Sequence, residues 1–272
     1  MTPIYLDYNA TTPIDSQVAE AMLPYIHGLY GNPSSGHAFG LEARAGVDRA
    51  RHQVASMLGC HDDEVLFTSG GTESDNHAIK GIAGADRARG NHVITSNIEH
   101  PAVEEVCRYL EIQGLEVTYL PVDGHGLIDP QQVEDAITDR TIMVTIMHAN
   151  NEVGTIQPIR EIADIAHRHG AVMHSDCAQS VGKIPVDVDD LGVDLLTIAG
   201  HKLYAPKGIG VLYIRRGVEI EKFMHGADHE MGRRAGTENI ILEAGLDRKS
   251  GVEGKSVALG GRRIIKKKTK LV

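Results

Sequence analysis

The sequence predicts an α/β protein whose sheet is mixed, mostly parallel and flanked by helices. Short β-rich runs alternate with segments of helical apolar spacing across short loops. Two of those runs, Thr141 to Met147 and Val193 to Ile198, are apolar enough to be buried strands. Several strand candidates end abruptly in polar strings, where open α/β sheets place their ligand sites. At 272 residues the chain can bury a sizeable core.

The opening Tyr5-Leu-Asp-Tyr-Asn-Ala-Thr-Thr-Pro13 is polar and turn-rich. Asp15 or Ser16 can cap a helix running to about Tyr30, and Gly31 to Gly36 is a loop that turns the chain or lines a pocket. Ala43, Val47, Ala50, Val54 and Leu58 recur at helical spacing and predict a helix from about Leu41 to Leu58, closed by Gly59. Glu64 to Thr68 is a strand, followed by Ser69-Gly-Gly-Thr-Glu-Ser and a helix to about Ala88. That turn suits an anion, because free N–H groups and the helix dipole converge at a helix amino end; capping by Ser69 or Thr72 is the plainer alternative. His92 to Ser96 is the next strand, and His100 sits where it joins a helix opened by Pro101.

Leu115 to Leu120 is a further strand, and Asp129-Pro130 opens a helix to about Ile137. Thr141 to Met147 ends in His148-Ala-Asn-Asn-Glu-Val-Gly154, two amides at a strand end. Pro158 opens a helix to about His169; Ala171 to His174 delivers Asp176, and Asp194 to Ile198 delivers Lys202. Ile209 to Ile214 is the last strand, followed by a loop with two arginines from Met231 to Asn239.

Charge divides the chain. Residues 248–272 hold nine Lys/Arg and one acid, leaving −18 on residues 1–247 out of a total of −10. Such an acidic body argues against nucleic acid as a partner. No apolar run reaches the roughly 18 residues needed to span a bilayer, and no signal segment opens the sequence, so a cytoplasmic protein is expected. Cys60, Cys107 and Cys177 offer neither a disulfide framework nor metal-ligand spacing.

A lysine at the end of a buried strand is partly desolvated, which favours the neutral amine that attacks carbonyls. Lys202 is such a residue, and Asp176 occupies a similar strand end. Together they suit pyridoxal 5'-phosphate (PLP), whose aldehyde takes a lysine and whose pyridine nitrogen takes a carboxylate.

With the Ser69-Gly-Gly-Thr-Glu-Ser turn and His100, these residues resemble the cysteine desulfurases, the NifS/IscS-like members of the class V aminotransferases. Other strings in order carry the same resemblance: Tyr30-Gly-Asn-Pro-Ser-Ser, Asn150-Asn-Glu-Val-Gly, Asp176-Cys-Ala-Gln, Gly200-His-Lys-Leu-Tyr-Ala-Pro-Lys-Gly and Arg234-Ala-Gly-Thr-Glu-Asn. The resemblance implies a PLP-dependent transferase of fold type I, a homodimer, and conversion of L-cysteine to L-alanine with sulfur passed through an enzyme persulfide. It implies that Lys202 carries the cofactor and moves the substrate's α-proton, that Asp176 holds the pyridinium, and that His100 stacks on the ring and passes protons, making Lys202 and His100 the catalytic pair. It further implies that Gly71, Thr72 and His201 bind phosphate and that Asn151 and Gln179 meet the ring oxygen and the incoming carboxylate. Thr237 would reach the partner subunit's cofactor. The sulfur would go to an acceptor such as an iron–sulfur scaffold protein.

The family's sulfur-accepting cysteine and carboxylate-binding arginine lie downstream of the Arg-Ala-Gly-Thr segment, and this chain leaves the pattern at about Asp247. The expected division is an N-terminal segment (1–15), a PLP-binding large domain (16–247) and a disordered basic tail (248–272). The small C-terminal domain is expected to be largely absent, through truncation or a shifted reading frame, and desulfurase activity to be impaired. Cys177 is expected near the ring but on a rigid strand end. A non-catalytic PLP-binding fragment, or a relative acting on selenocysteine or cysteine sulfinate, are the alternatives.

Overall fold

A computed structural model describes residues 3–247; the expectations for the basic tail lie outside the described residues. Two helices lead into the sheet, α1 (Ser16–His27) and α2 (Ala38–Leu58). Asp15 caps α1 through the Gln17 N–H, as expected, but the helix stops at His27. The second helix starts earlier than its apolar spacing shows, because the His37 ring accepts from the Gly40 N–H and adds a polar first turn.

The sheet elements follow in alternation: β1 (Val65–Thr68), α3 (Gly71–Ala85), β2 (His92–Ser96), α4 (Pro101–Ile112), β3 (Glu116–Leu120), α5 (Pro130–Ala136) and β4 (Thr141–Thr145). Then come α6 (Ile159–Arg168), β5 (Val172–Asp176), the short α7 (Val188–Leu191), β6 (Leu195–Ala199) and β7 (Gly210–Ile214). The seven strands are ordered β1-β7-β6-β5-β4-β2-β3. All neighbours are parallel except β7, which runs against both β1 and β6. This is the mixed, mostly parallel sheet the sequence predicts. The start of the two-arginine loop pairs with the residues before it in a small antiparallel ribbon, β8 (Asp228–His229) with β9 (Arg234–Ala235).

Two apolar layers cover the sheet. On one side α2 and α6 bury Val47, Val54, Leu58, Ile159 and Ile162 with Val144, Met173 and Ile198. On the other, Ile79 and Ile82 of α3 and Val103, Val106 and Leu110 of α4 pack with Val93, Met143 and Leu212. Strands β1, β2, β4, β6 and β7 are buried along their length, which is why they read as runs rather than alternations. With both faces covered, the carboxyl ends of β2, β4, β5 and β6 are left as the place where polar side chains converge.

Candidate active site

The amino end of α3 is bare. Gly70 precedes the helix with φ 151° and ψ 177°, a conformation open essentially to glycine alone, and no side chain caps the first turn. Neither Ser69 nor Thr72 caps it, so the plainer alternative for this turn does not hold. Gly210 of β7 lets the backbone of Gly70 come close: a Cβ there would lie 2.6 Å from it. The result is an uncapped helix amino end, with Gly71 and Thr72 in the wall of a cavity of about 640 Å³, its mouth included.

Eight of the nine residues singled out from the sequence line that cavity. Gly71 and Thr72 come from α3, and His100 from the turn between β2 and α4. Asn151 follows β4, Asp176 and Gln179 follow from β5, and His201 and Lys202 from β6. Thr237 does not join them; it lines a second cavity with Ser69, Arg234 and Glu243.

Asp176 is 6 % exposed, and its Oδ1 accepts the Ala178 N–H at 2.9 Å. Burial raises its carboxyl, while that hydrogen bond and the nearby His100 and Lys202 oppose the rise. Burial lowers the Lys202 ammonium, against the pull of Asp176 and Asp7. His100 caps α4, its Nδ1 accepting the Ala102 N–H at 3.1 Å, and also borders the cavity. It is both a capping residue and a wall of the site.

The opening segment, which the sequence shows only as a polar turn, proves to be tied to the Lys202 turn. Lys202 Nζ donates to the carbonyls of Asn9 and Ala10, the latter at 2.9 Å. Thr12 Oγ1 donates to the His201 carbonyl at 2.9 Å and accepts the Tyr204 N–H at 2.9 Å. Gln179 Nε2 donates to Asn9 O at 3.0 Å. No local signal in residues 5–13 indicates these contacts; they arise from residues some 190 positions apart.

Cys177 departs from its expected place. It is fully buried in the apolar layer beneath the sheet and does not line the cavity, because the residue after Asp176 turns its side chain to the opposite side. Cys107 is buried inside α4 and Cys60 is half-buried after α2. Burial pushes all three thiols up to about 12. No group of three metal-ligating side chains occurs among the described residues, and no helix there is long and apolar enough to cross a membrane.

The strand order, with its single reversed strand and a site at the parallel strands' carboxyl ends, defines the PLP-dependent transferase fold of the NifS-like proteins. A solved NifS-like protein superposes with a TM-score of 0.92 at 38 % identity, over 99 % of this chain and 74 % of its own. A structure described as SspA in complex with cysteine gives 0.89 at 43 % identity, over 91 % and 72 %. The chain belongs to the aminotransferase class-V family, whose pattern matches residues 4–249. Its curated relatives include a cysteine desulfurase IscS of Dictyoglomus turgidum, 53 % identical over 89 % of this chain and 62 % of the relative. Another, from Methanosarcina thermophila, is 48 % identical over 99 % and 67 %. The chain therefore spans about two thirds of the length of these relatives.

Proposed function

We propose that this chain forms the PLP-binding large domain of a cysteine desulfurase. The observation that carries the reading is the convergence of Lys202 and Asp176 on one cavity beneath the bare amino end of α3. The residues suit the cofactor: an uncapped helix amino end for a phosphate, a buried carboxyl for a ring nitrogen, and a lysine with a lowered ammonium for an aldehyde. When bound, PLP would supply the electron sink that loosens bonds at the substrate's Cα.

In this reading Gly71, Thr72 and His201 hold the phosphate, and Asp176 holds the pyridinium proton. Asn151 would meet the ring oxygen, Gln179 the substrate carboxylate, and His100 would lie against the ring. Lys202 would hold the aldehyde carbon and, once the substrate amine displaced it there, its freed amine would take and return the proton at Cα. The net change is L-cysteine plus an acceptor thiolate giving L-alanine plus a persulfide. In this reading that thiolate comes from elsewhere than Cys60, Cys107 or Cys177, whose thiols are buried or half-buried and pushed up by burial. We therefore read desulfuration by this chain alone as impaired, and passage of sulfur to a scaffold protein as a property of a site that supplies an accessible thiol.

A homodimer accords with the same reading. Thr237 lies outside the cavity, free to serve a partner's cofactor, and Tyr30 and Phe39 expose adjoining rings 5.9 Å apart. A cytoplasmic location fits the free cysteines. The test is to incubate the folded chain with PLP, reduce with borohydride and map the modified peptide. Cofactor fixed on Lys202 supports the reading. A folded chain that takes up no PLP, or carries it on Lys183 or Lys207, overturns it.

A further inference from the structure

The wall of the cavity holds a second buried carboxyl besides Asp176. Asp75 lies one turn into α3, lines the cavity with Asp176 and is 1 % exposed. Its Oδ1 accepts no hydrogen bond among the described residues and stands 3.6 Å from His174 Nε2, beyond hydrogen-bonding reach. His174 brings no charge. It is fully buried, burial pushes its imidazole down to about 3, and its Nδ1 and Nε2 meet Thr145 Oγ1 and Thr197 Oγ1 at 2.8 and 3.2 Å.

The surroundings of the two carboxyls are unequal. Asp176 has a backbone N–H donor at 2.9 Å, and His100 and Lys202 favour its charge. At Asp75 burial opposes a charge first, the Asp176 carboxylate adds to that opposition, and the Thr197 hydroxyl favours one. Two carboxyls in one desolvated wall do not both ionise, because repulsion is strong where water is excluded.

We propose that Asp75 is a positioning residue that keeps the proton of this pair, leaving Asp176 as the single carboxylate in the cavity wall. It acts through Asp176 and touches no reacting atom. Burial and the Asp176 charge both drive the Asp75 carboxyl well above the usual carboxylate range, in the direction this requires. The consequence is a fixed division of labour. A neutral acid fills the polar space under α3, while the anion stays on Asp176, the residue that would hold a ring nitrogen. Were the proton on Asp176 instead, that position would meet a carboxylic acid and lose its fixed negative charge. The role in cofactor binding rests on the proposed function; the location of the proton does not.

The experiment labels the aspartate side-chain carboxyl carbons with 13C in the full chain and follows their chemical shifts against pH, without and with PLP. Aspartate labelling keeps Glu99 and Glu243, whose carboxyls are also raised, out of the spectrum. In the wild type one aspartate should remain a neutral acid at neutral pH, and that signal should be missing from Asp75→Asn. In Asp176→Asn it should titrate at a lower pH, because the opposing charge is gone. A neutral signal that persists in Asp75→Asn and vanishes in Asp176→Asn overturns the proposal, as does a wild type in which no aspartate stays protonated. If Asp75→Asn fails to fold, the downward shift in Asp176→Asn still decides the matter.

With PLP added, Asp75→Asn should retain the cofactor within about tenfold of the wild type and Asp176→Asn should lose more, tenfold corresponding to one unit of pKa. The reverse order overturns the positioning role. Failure of the folded wild type to bind PLP at all defeats the cofactor reading and with it that role, while the titration still judges the proton.

Discussion

Arg51 and Glu230 meet fork to fork, Nη1 at 3.0 Å from Oε2 and Nη2 at 2.8 Å from Oε1, with both side chains buried. The pair fastens α2 to the turn that joins the two strands of the small ribbon. Arg51 also donates to the Val65 carbonyl, and Glu230 Oε2 accepts the Phe67 N–H at 2.9 Å. The first and third residues of β1 are thereby held, one to α2 and the other to Glu230, 163 positions away from Phe67. Removing one member leaves the other's charge buried without its partner, which costs about 3–5 kcal/mol. Arg51→Met should accordingly lower the urea midpoint steeply, and adding Glu230→Gln should recover part of the loss. A double variant no more stable than Arg51→Met would show that the cost lies in packing rather than in the stranded carboxylate.

Glu99 gives a pH dependence of definite sign. Its carboxyl bridges two strand ends: Ser96 Oγ donates to Oε1 at 2.5 Å, and the Met147 N–H donates to Oε1 and Oε2 at 3.0 and 3.1 Å. Burial pushes it up to about 8, with the Asp176 charge adding to the rise and these hydrogen bonds opposing it. The folded chain thus binds this proton more tightly than the unfolded chain. The stabilisation is fully present below the ordinary carboxylate range and is lost as pH rises towards and through about 8. Glu99→Gln keeps an accepting oxygen and cannot ionise. Thermal melts from pH 6 to 9, roughly the window of the shift, should show a smaller fall in Tm for Glu99→Gln than for the wild type. Parallel falls would assign the pH dependence to other groups, Glu243 first among them, since its carboxyl is also raised to about 8.

Much of this architecture is legible in the sequence because the sheet is covered on both faces. Buried strands such as β4 and β6 then appear as apolar runs, and the polar string after each run marks a strand end facing the site. Lys202, Asp176 and His100 stand out for that reason. Strand direction is not legible: nothing in Gly210 to Ile214 distinguishes a reversed strand from a parallel one. Asp75 is hidden for a different reason. It lies in a polar stretch, Glu73-Ser-Asp-Asn76, that reads as a solvated first turn, and only packing of α3 on the sheet buries it. Arg51 and Glu230 are 179 residues apart and share no local pattern, so their pairing emerges only from the fold.

Gly70 is the backbone position on which the anion site depends. At φ 151° and ψ 177° a residue with a Cβ is strained by about 1–3 kcal/mol. Gly70→Ala should lower Tm, and it should also turn the first N–H groups of α3 away from the cavity. The change should weaken retention of PLP more than retention of pyridoxal, which lacks the phosphate. Equal weakening of both would place the phosphate elsewhere.

Burial first, and neighbouring carboxylates after it, hold the three cysteine thiols high. A thiol pushed up to about 12 is scarcely ionised at pH 8, whereas a free thiol there is ionised to an appreciable extent. Only the thiolate attacks a disulfide reagent or accepts sulfur, so the native chain should react slowly with a thiol-reactive disulfide at pH 8. In guanidinium all three cysteines should react at the rate of exposed thiols. Among them Cys60, half-buried at the end of α2, should be labelled first in the native state, and Cys107 and Cys177 should wait for unfolding. Peptide mapping of the labelled chain identifies the order. Fast labelling of Cys177, suppressed when L-cysteine is present, would reverse the conclusion: it would mean that the strand end after Asp176 opens towards the cavity and that a thiolate within this chain can receive the sulfur.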